Sequence, residues 1–209
     1  MSIKYSCFIS YAHGQGNIAR EFMRQLKEAL VDSLGLLLRE EVYMDDRHIP
    51  GYNFNDGIAK AICESVCMIV VYSPLYEKSN YCLREFLAME NVEEKRRQKL
   101  GSKYDRTKRM IIPLILRGNI NSLPTKMEKI HCYDFSKFTL ASLKMRKEDK
   151  KIIDEIANFI YEHYTNLETI HNNKIDNECL EFTLPPEDEV LRQWKKSAPS
   201  IGFPGRRNV

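Results

Sequence analysis

The run Val66-Cys67-Met68-Ile69-Val70-Val71 constrains this chain more than any other stretch. It is apolar at successive positions rather than at alternate ones, as expected of a strand buried on both faces of a parallel sheet. A sheet of that kind needs helices on both sides, so the run predicts a layered α/β domain. Ser73 and Pro74 end the strand, a polar turn follows, and Leu83, Phe86 and Leu87 then recur at helical spacing. Those three residues define a core face. On this spacing Glu85 falls off the core face, one turn into the helix, with its carboxylate directed at a cleft. In open α/β sheets the ligand crevice lies beyond the carboxyl ends of the strands, where this strand-to-helix turn is placed.

Other segments repeat the pattern. Tyr5 to Tyr11 is a first strand, followed by a loop with His13, Gly14 and Gly16. Ile18, Phe22, Leu26 and Leu30 mark an amphipathic helix, with Asn17 as N-cap and Gly35 as stop. Val42 to Asp45 is a short second strand, and Asp46 to Asn55, with Pro50 and Gly51, is a loop. Ile58, Ala61 and Ile62 give the core face of the helix that precedes the central strand. After the helix of Glu85, the charged run Glu93 to Lys99 is expected to be solvated. Met110 to Leu116 is a fourth strand whose Pro113 cannot donate to a ladder, which places it near a sheet edge or at a bulge. His131 to Phe135 is a fifth strand, and Ile152, Ile156, Phe159, Ile160 and His163 line a long final helix starting near Lys147 to Asp149. From about Glu168 the pattern changes, to an Asn-rich segment, Pro185-Pro186 and a helix-like stretch from Glu187 to Lys196.

Composition sets bounds on function. The 209 residues suffice for one domain with an appendage, and a formal charge of +3 implies no general attraction to nucleic acid or membrane. No apolar run approaches the length of a spanning helix, and Met1 to Lys4 leads into a strand rather than a signal peptide, so a cytoplasmic protein is expected. Six cysteines, Cys7, Cys63, Cys67, Cys82, Cys132 and Cys179, show no Cys-x-x-Cys pair and no His at ligand spacing. They read as reduced, mostly packed thiols, and no metal site is expected.

Ser73, Pro74, Tyr76, Ser79, Tyr81, Cys82 and Glu85, at their spacing, resemble the signature of Toll/interleukin-1 receptor (TIR) domains. Tyr5 to Tyr11 is similar to that family's first strand. Tyr43 to Gly51 is similar to its second strand and the following BB loop. The three boxes occur in order and span roughly the first two-thirds of the chain; Tyr81 stands where the family usually has Trp. The resemblance implies a flavodoxin-like, doubly wound, parallel five-stranded sheet over residues 1–167, with 168–209 as a C-terminal extension carrying a short helix near 187–196.

The resemblance also implies an activity. In enzymatic TIR domains the Glu at the position of Glu85 contacts the ribose that carries nicotinamide, and an ionised carboxylate there stabilises the oxocarbenium character of N-glycosidic cleavage. On position alone Glu85 is a surface acid near a helix start. As an enzyme, the chain is expected to be a nicotinamide adenine dinucleotide (NAD) glycohydrolase or cyclase, with NAD as substrate and no cofactor. Ser10, Tyr11, His13, Asp45, Arg47, Ser73 and Tyr81 are the expected pocket residues. Three have a plainer role: His13 as a loop residue, Asp45 as a structural acceptor, Tyr81 as packing filler. Asp45 and Asp46 are adjacent and, in a strand, face opposite ways, so they do not form a carboxylate pair. Arg47 to Phe54, in the BB loop, is expected to gate the pocket and dock on other TIR domains. A stand-alone TIR protein of this size resembles the sensors of bacterial anti-phage defence such as Thoeris, which signal to a separate effector. The alternative is a non-enzymatic scaffold acting through TIR–TIR contacts.

Overall fold

The computed structural model describes residues 3–14, 16–45, 54–101, 104–105, 107–119, 123–171 and 179–197. Five strands, β1 (Tyr5–Tyr11), β2 (Glu41–Met44), β3 (Ser65–Tyr72), β4 (Ile111–Ile115) and β5 (Tyr133–Asp134), form one sheet in the order β2-β1-β3-β4-β5. Every pairing is parallel. The helices are α1 (Gly16–Leu34), α2 (Phe54–Cys63), α3 (Asn80–Leu100), α4 (Thr125–Glu128), α5 (Lys147–His171) and α6 (Glu187–Ser197). The chain steps from β1 to β2 on one side, then crosses back to β3 and on to β5. Right-handed crossovers therefore put α1 on one face and α2, α3 and α4 on the other. Helix α5 returns to pack on α1, and α2 packs on α3. This is the flavodoxin-like doubly wound sheet expected from the sequence.

Covering both faces explains the sequence pattern. All eight residues of β3 and all five of β4 are buried. Pro113 pairs with Val70 in an unbulged register, and the short β5 ladder begins one residue later, at Leu114–Tyr133. The missing N–H is tolerated because β4 is next to the edge strand and has no strand on its outer side at that residue. Helix α1 starts at Gly16 rather than after an Asn17 cap, and the Asn17 side chain instead accepts from Arg20. Gly35 ends it as expected: its N–H donates to the Val31 carbonyl at 2.9 Å, and a Cβ there would come within 2.8 Å of the same oxygen. No helix among the described residues is long and apolar enough to cross a membrane.

The charged run of α3 and the cysteines also depart from expectation. The charged run after Met89 is not simply solvated: Glu93 and Arg96 are buried. Glu93 Oε1 accepts from Tyr104 Oη (2.9 Å), Arg109 Nε (2.8 Å) and Arg97 Nη2 (3.1 Å). Arg96 donates to the carbonyls of Val66 (2.8 Å) and Cys63 (2.9 Å) and so ties α3 to the α2–β3 junction. Nor are all six cysteines free, because Cys63 and Cys179 form a disulfide across 116 residues of sequence. Cys7, Cys67, Cys82 and Cys132 are thiols. Sequence spacing does not reveal the pair, since Cys179 reaches Cys63 only after the chain has passed through β3, β4 and β5.

The extension beyond α5 returns to the domain. Helix α6 lies on α3, with Val190 and Trp194 buried and Trp194 edge-on to Phe86 at 5.4 Å between ring centroids. Arg84 Nε donates to the Pro185 carbonyl at 2.8 Å. Leu191, next to Val190 on the same helix, is 38% exposed.

Candidate functional site

Strand order 2-1-3-4-5 reverses between β1 and β3, and a doubly wound sheet binds its ligands at this switch point, at the carboxyl end. Parallel pairing brings the ends of three strands level: Ile9 faces Met44 across β1 and β2, while Ser10 and Tyr11 face Val70 and Val71 across β1 and β3. Ser10, Tyr11, Asp45 and Ser73 are thereby gathered at one edge. The turn after β3 contains a 3-10 turn, Tyr76–Lys78, and Ser79 caps α3 by accepting from the Cys82 N–H at 3.3 Å. This cap fixes where the helix begins, and so where Glu85 points.

Glu85 is not off the core face. It is 7% exposed, on a helix whose Cys82, Leu83, Phe86, Leu87, Ala88 and Met89 are also buried. The first half of α3 is enclosed by the sheet, α2 and α6, so it has little polar face for Glu85 to occupy. The carboxyl points at β1, where Ser10 Oγ lies 2.5 Å from Glu85 Oε2. Ser10 Oγ is also 2.8 Å from Tyr76 Oη, which donates to the Cys82 carbonyl at 3.1 Å. Loss of water pushes the Glu85 pKa up to about 8; the Ser10 hydroxyl opposes that rise and the Asp45 charge adds to it. At neutral pH the group is therefore mainly protonated.

The other expected residues divide into three groups. Ser10 is buried and is engaged with Glu85 and Tyr76. Ser73 is buried at the end of β3, and its Oγ has no hydrogen-bond partner among the described residues. An orphan hydroxyl at a switch point is a ready donor or acceptor for a ligand. Tyr11 and Asp45 are half-buried, and His13 and Tyr81 are exposed. Tyr11 donates to the Asp45 carbonyl at 3.4 Å and lies against His13 at 4.7 Å between rings. Tyr81 is 46% exposed, with the Arg84 guanidinium 5.8 Å from its ring centre. Arg47 and the rest of the loop from 46 to 53 lie outside the described residues.

Tyr76 was not among the expected site residues, although it stands in the same motif as Ser73 and Glu85. Its ring is fully buried and its hydroxyl reaches the Glu85–Ser10 pair. A separate groove of about 800 Å³ runs along the outer edge of β2 between α1 and α2 and reaches Asp45. Ser10, Ser73, Tyr81 and Glu85 do not line it.

Comparison with known proteins gives the family. A search of curated proteins returns no match. Among solved structures, the TIR domain of the Toll-related receptor TRR-2 from Hydra magnipapillata is 19% identical, covering 77% of this chain and 98% of its own, with a TM-score of 0.49. The TIR domains of the activated Roq1 resistosome, which directly recognises the pathogen effector XopQ, are 20% identical, covering 92% of this chain and 98% of theirs, with a TM-score of 0.44. The family profile described as TIR domain matches residues 7–150, well over half of the chain and the whole stretch from Ser10 to Glu85. The chain belongs to the TIR domain family.

Proposed function

We propose that this TIR domain cleaves the nicotinamide–ribose bond of NAD, with Glu85 as the catalytic carboxyl. The observation that carries the reading is Glu85 itself: a buried carboxyl with a strongly raised pKa, hydrogen-bonded at the switch point of a doubly wound sheet. NAD brings a cationic nicotinamide to the site. A cation beside Glu85 favours loss of its proton, so substrate binding would convert the neutral acid to the carboxylate that the reaction needs. Cleavage then breaks the C1′–N bond, the electron pair leaves with neutral nicotinamide, and the carboxylate stabilises the positive charge left on the ribose. Water or an internal nucleophile of ADP-ribose captures C1′, giving free ADP-ribose or a cyclic product. Ser73 and Tyr81 are proposed to contact the ribose and nicotinamide, and Tyr11, His13, Asp45 and Arg47 to line the remainder of the pocket. A role in anti-phage signalling through a separate effector, in the cytoplasm, with self-association through the loop Arg47 to Phe54, rests on the sequence resemblance. Incubating purified protein with NAD and resolving nicotinamide from the nucleotide products tests the activity; intact NAD at high protein concentration rejects it.

A second reading has its own support. Glu85 is buried in hydrogen bonds to the protein's own groups, as a purely structural acid would be. On that reading the domain is a scaffold for other TIR domains. Glu85→Gln would then leave partner binding unchanged, and no NAD would be consumed by either protein.

A further inference from the structure

Ser10 stands between two groups, with Glu85 on one side and Tyr76 on the other, and all three are buried. Each hydroxyl has one proton to give. With Glu85 protonated, the chain runs in one direction: Glu85 donates to Ser10, Ser10 to Tyr76 and Tyr76 to the Cys82 carbonyl. With Glu85 ionised, the Ser10 proton must turn to the carboxylate, which leaves Ser10 Oγ open to accept from Tyr76. The Cys82 carbonyl loses that donor but sits in α3, where it has the ordinary intrahelical partner. The hydroxyl chain therefore reverses when Glu85 changes charge. In the ionised state it ends on a charge, and hydrogen bonds in such a chain strengthen one another more than they do in the neutral one.

We propose that Tyr76 is a positioning residue of this site, which holds the Ser10 hydroxyl on Glu85 and favours the ionised carboxylate by donating into Ser10. Its effect on catalysis rests on the NAD-cleavage reading; its effect on Glu85 does not. The other groups facing Glu85 are accounted for. Asp45, at the end of β2, disfavours its charge, the Cys82 thiol lies within its field on α3, and neighbouring Arg84 is engaged with the Pro185 carbonyl. Among these groups, only the Ser10 hydroxyl favours its ionised form.

The test is the titration of Glu85, followed by carbon NMR of glutamate-labelled protein and assigned with Glu85→Gln. Tyr76→Phe keeps the buried ring and removes the hydroxyl. The expected result is a midpoint higher by about one pH, a tenfold tighter hold on the proton. Ser10→Ala should raise it as well, and the double variant should add little to Ser10→Ala because Tyr76 acts through Ser10. Site-specific 3-fluorotyrosine at 76, a stronger donor of the same shape, should move the midpoint down. This second measurement stands if Tyr76→Phe does not fold. An unmoved midpoint in both Tyr76 variants, or fully additive effects of Tyr76→Phe and Ser10→Ala, overturns the proposal. If wild type cleaves NAD, the acidic limb of its pH–rate profile should move with the midpoint. If it does not, the function fails while the titration still decides the role of Tyr76.

Discussion

A carboxyl stripped of water makes the folded state hold its proton more tightly than the unfolded chain does, and Glu85 shows how that couples to pH. Its folded pKa of about 8 lies above the ordinary value of 4.5 in the unfolded chain, so its contribution to stability is fully present below pH 4.5 and is lost as pH rises towards 8. The loss is on the order of a few kcal/mol. Glu85→Gln has no proton to lose, so between pH 5 and 9 the urea midpoint of wild type should fall relative to that of the variant, while His163, whose pKa burial pushes down to about 4, shifts both alike. The same variant should lose roughly 10²-fold or more in NAD cleavage, measured as nicotinamide release. Ser73→Ala tests the orphan hydroxyl at the end of β3. Removing a buried, unpartnered polar atom should leave stability unchanged or slightly raised, while KM for NAD increases if that hydroxyl contacts the ribose. The motif from Ser73 to Glu85 made these residues legible in the sequence. The burial of Glu85 was not legible, because helical spacing identifies the face opposite Leu83 and Phe86 but not what else packs there.

Helix α3 shows the limit of local pattern on a larger scale. Its second half reads as a solvated run of charge, yet Glu93 and Arg96 are core residues, because Tyr104 and Arg109 return from the next connection to satisfy Glu93. Those partners are 11 and 16 residues away, beyond any helical period. Arg96→Met would retain most of the side chain's volume and strip the carbonyls of Cys63 and Val66 of a charged donor. We expect it to cost about 2–4 kcal/mol in urea unfolding, with the loss centred where α2 enters β3. The strands were easier to read, since burial on both faces writes itself as an unbroken apolar run in β3 and β4. Even β5, two residues long, fell within the segment expected for it.

On the scale of the molecule, the described part of the extension is joined to the domain by α6 on α3, by the hydrogen bond from Arg84 to the Pro185 carbonyl and by the Cys63–Cys179 bond. Trp194→Ala removes the largest contact of α6 and should abolish hydrogen-exchange protection over 187–194 while leaving β1 and β3 protected; equal loss in the strands would show that the extension belongs to the cooperative core. Closing so long a segment stabilises by about 3–5 kcal/mol on chain-entropy grounds, so reductant, or Cys63→Ser with Cys179→Ser, should lower the urea midpoint without changing the far-ultraviolet spectrum. In a reducing environment α6 packing and the Arg84–Pro185 hydrogen bond would still hold the extension. The same bond divides the molecule into a covalent ring from 63 to 179 and two open arms, and the Glu85–Ser10 contact crosses that division. A single backbone cut anywhere between 64 and 178 leaves the chain in one piece until reductant is added. One cut between Asp45 and Phe54 is different: nothing covalent then keeps the strand that carries Ser10 beside Glu85.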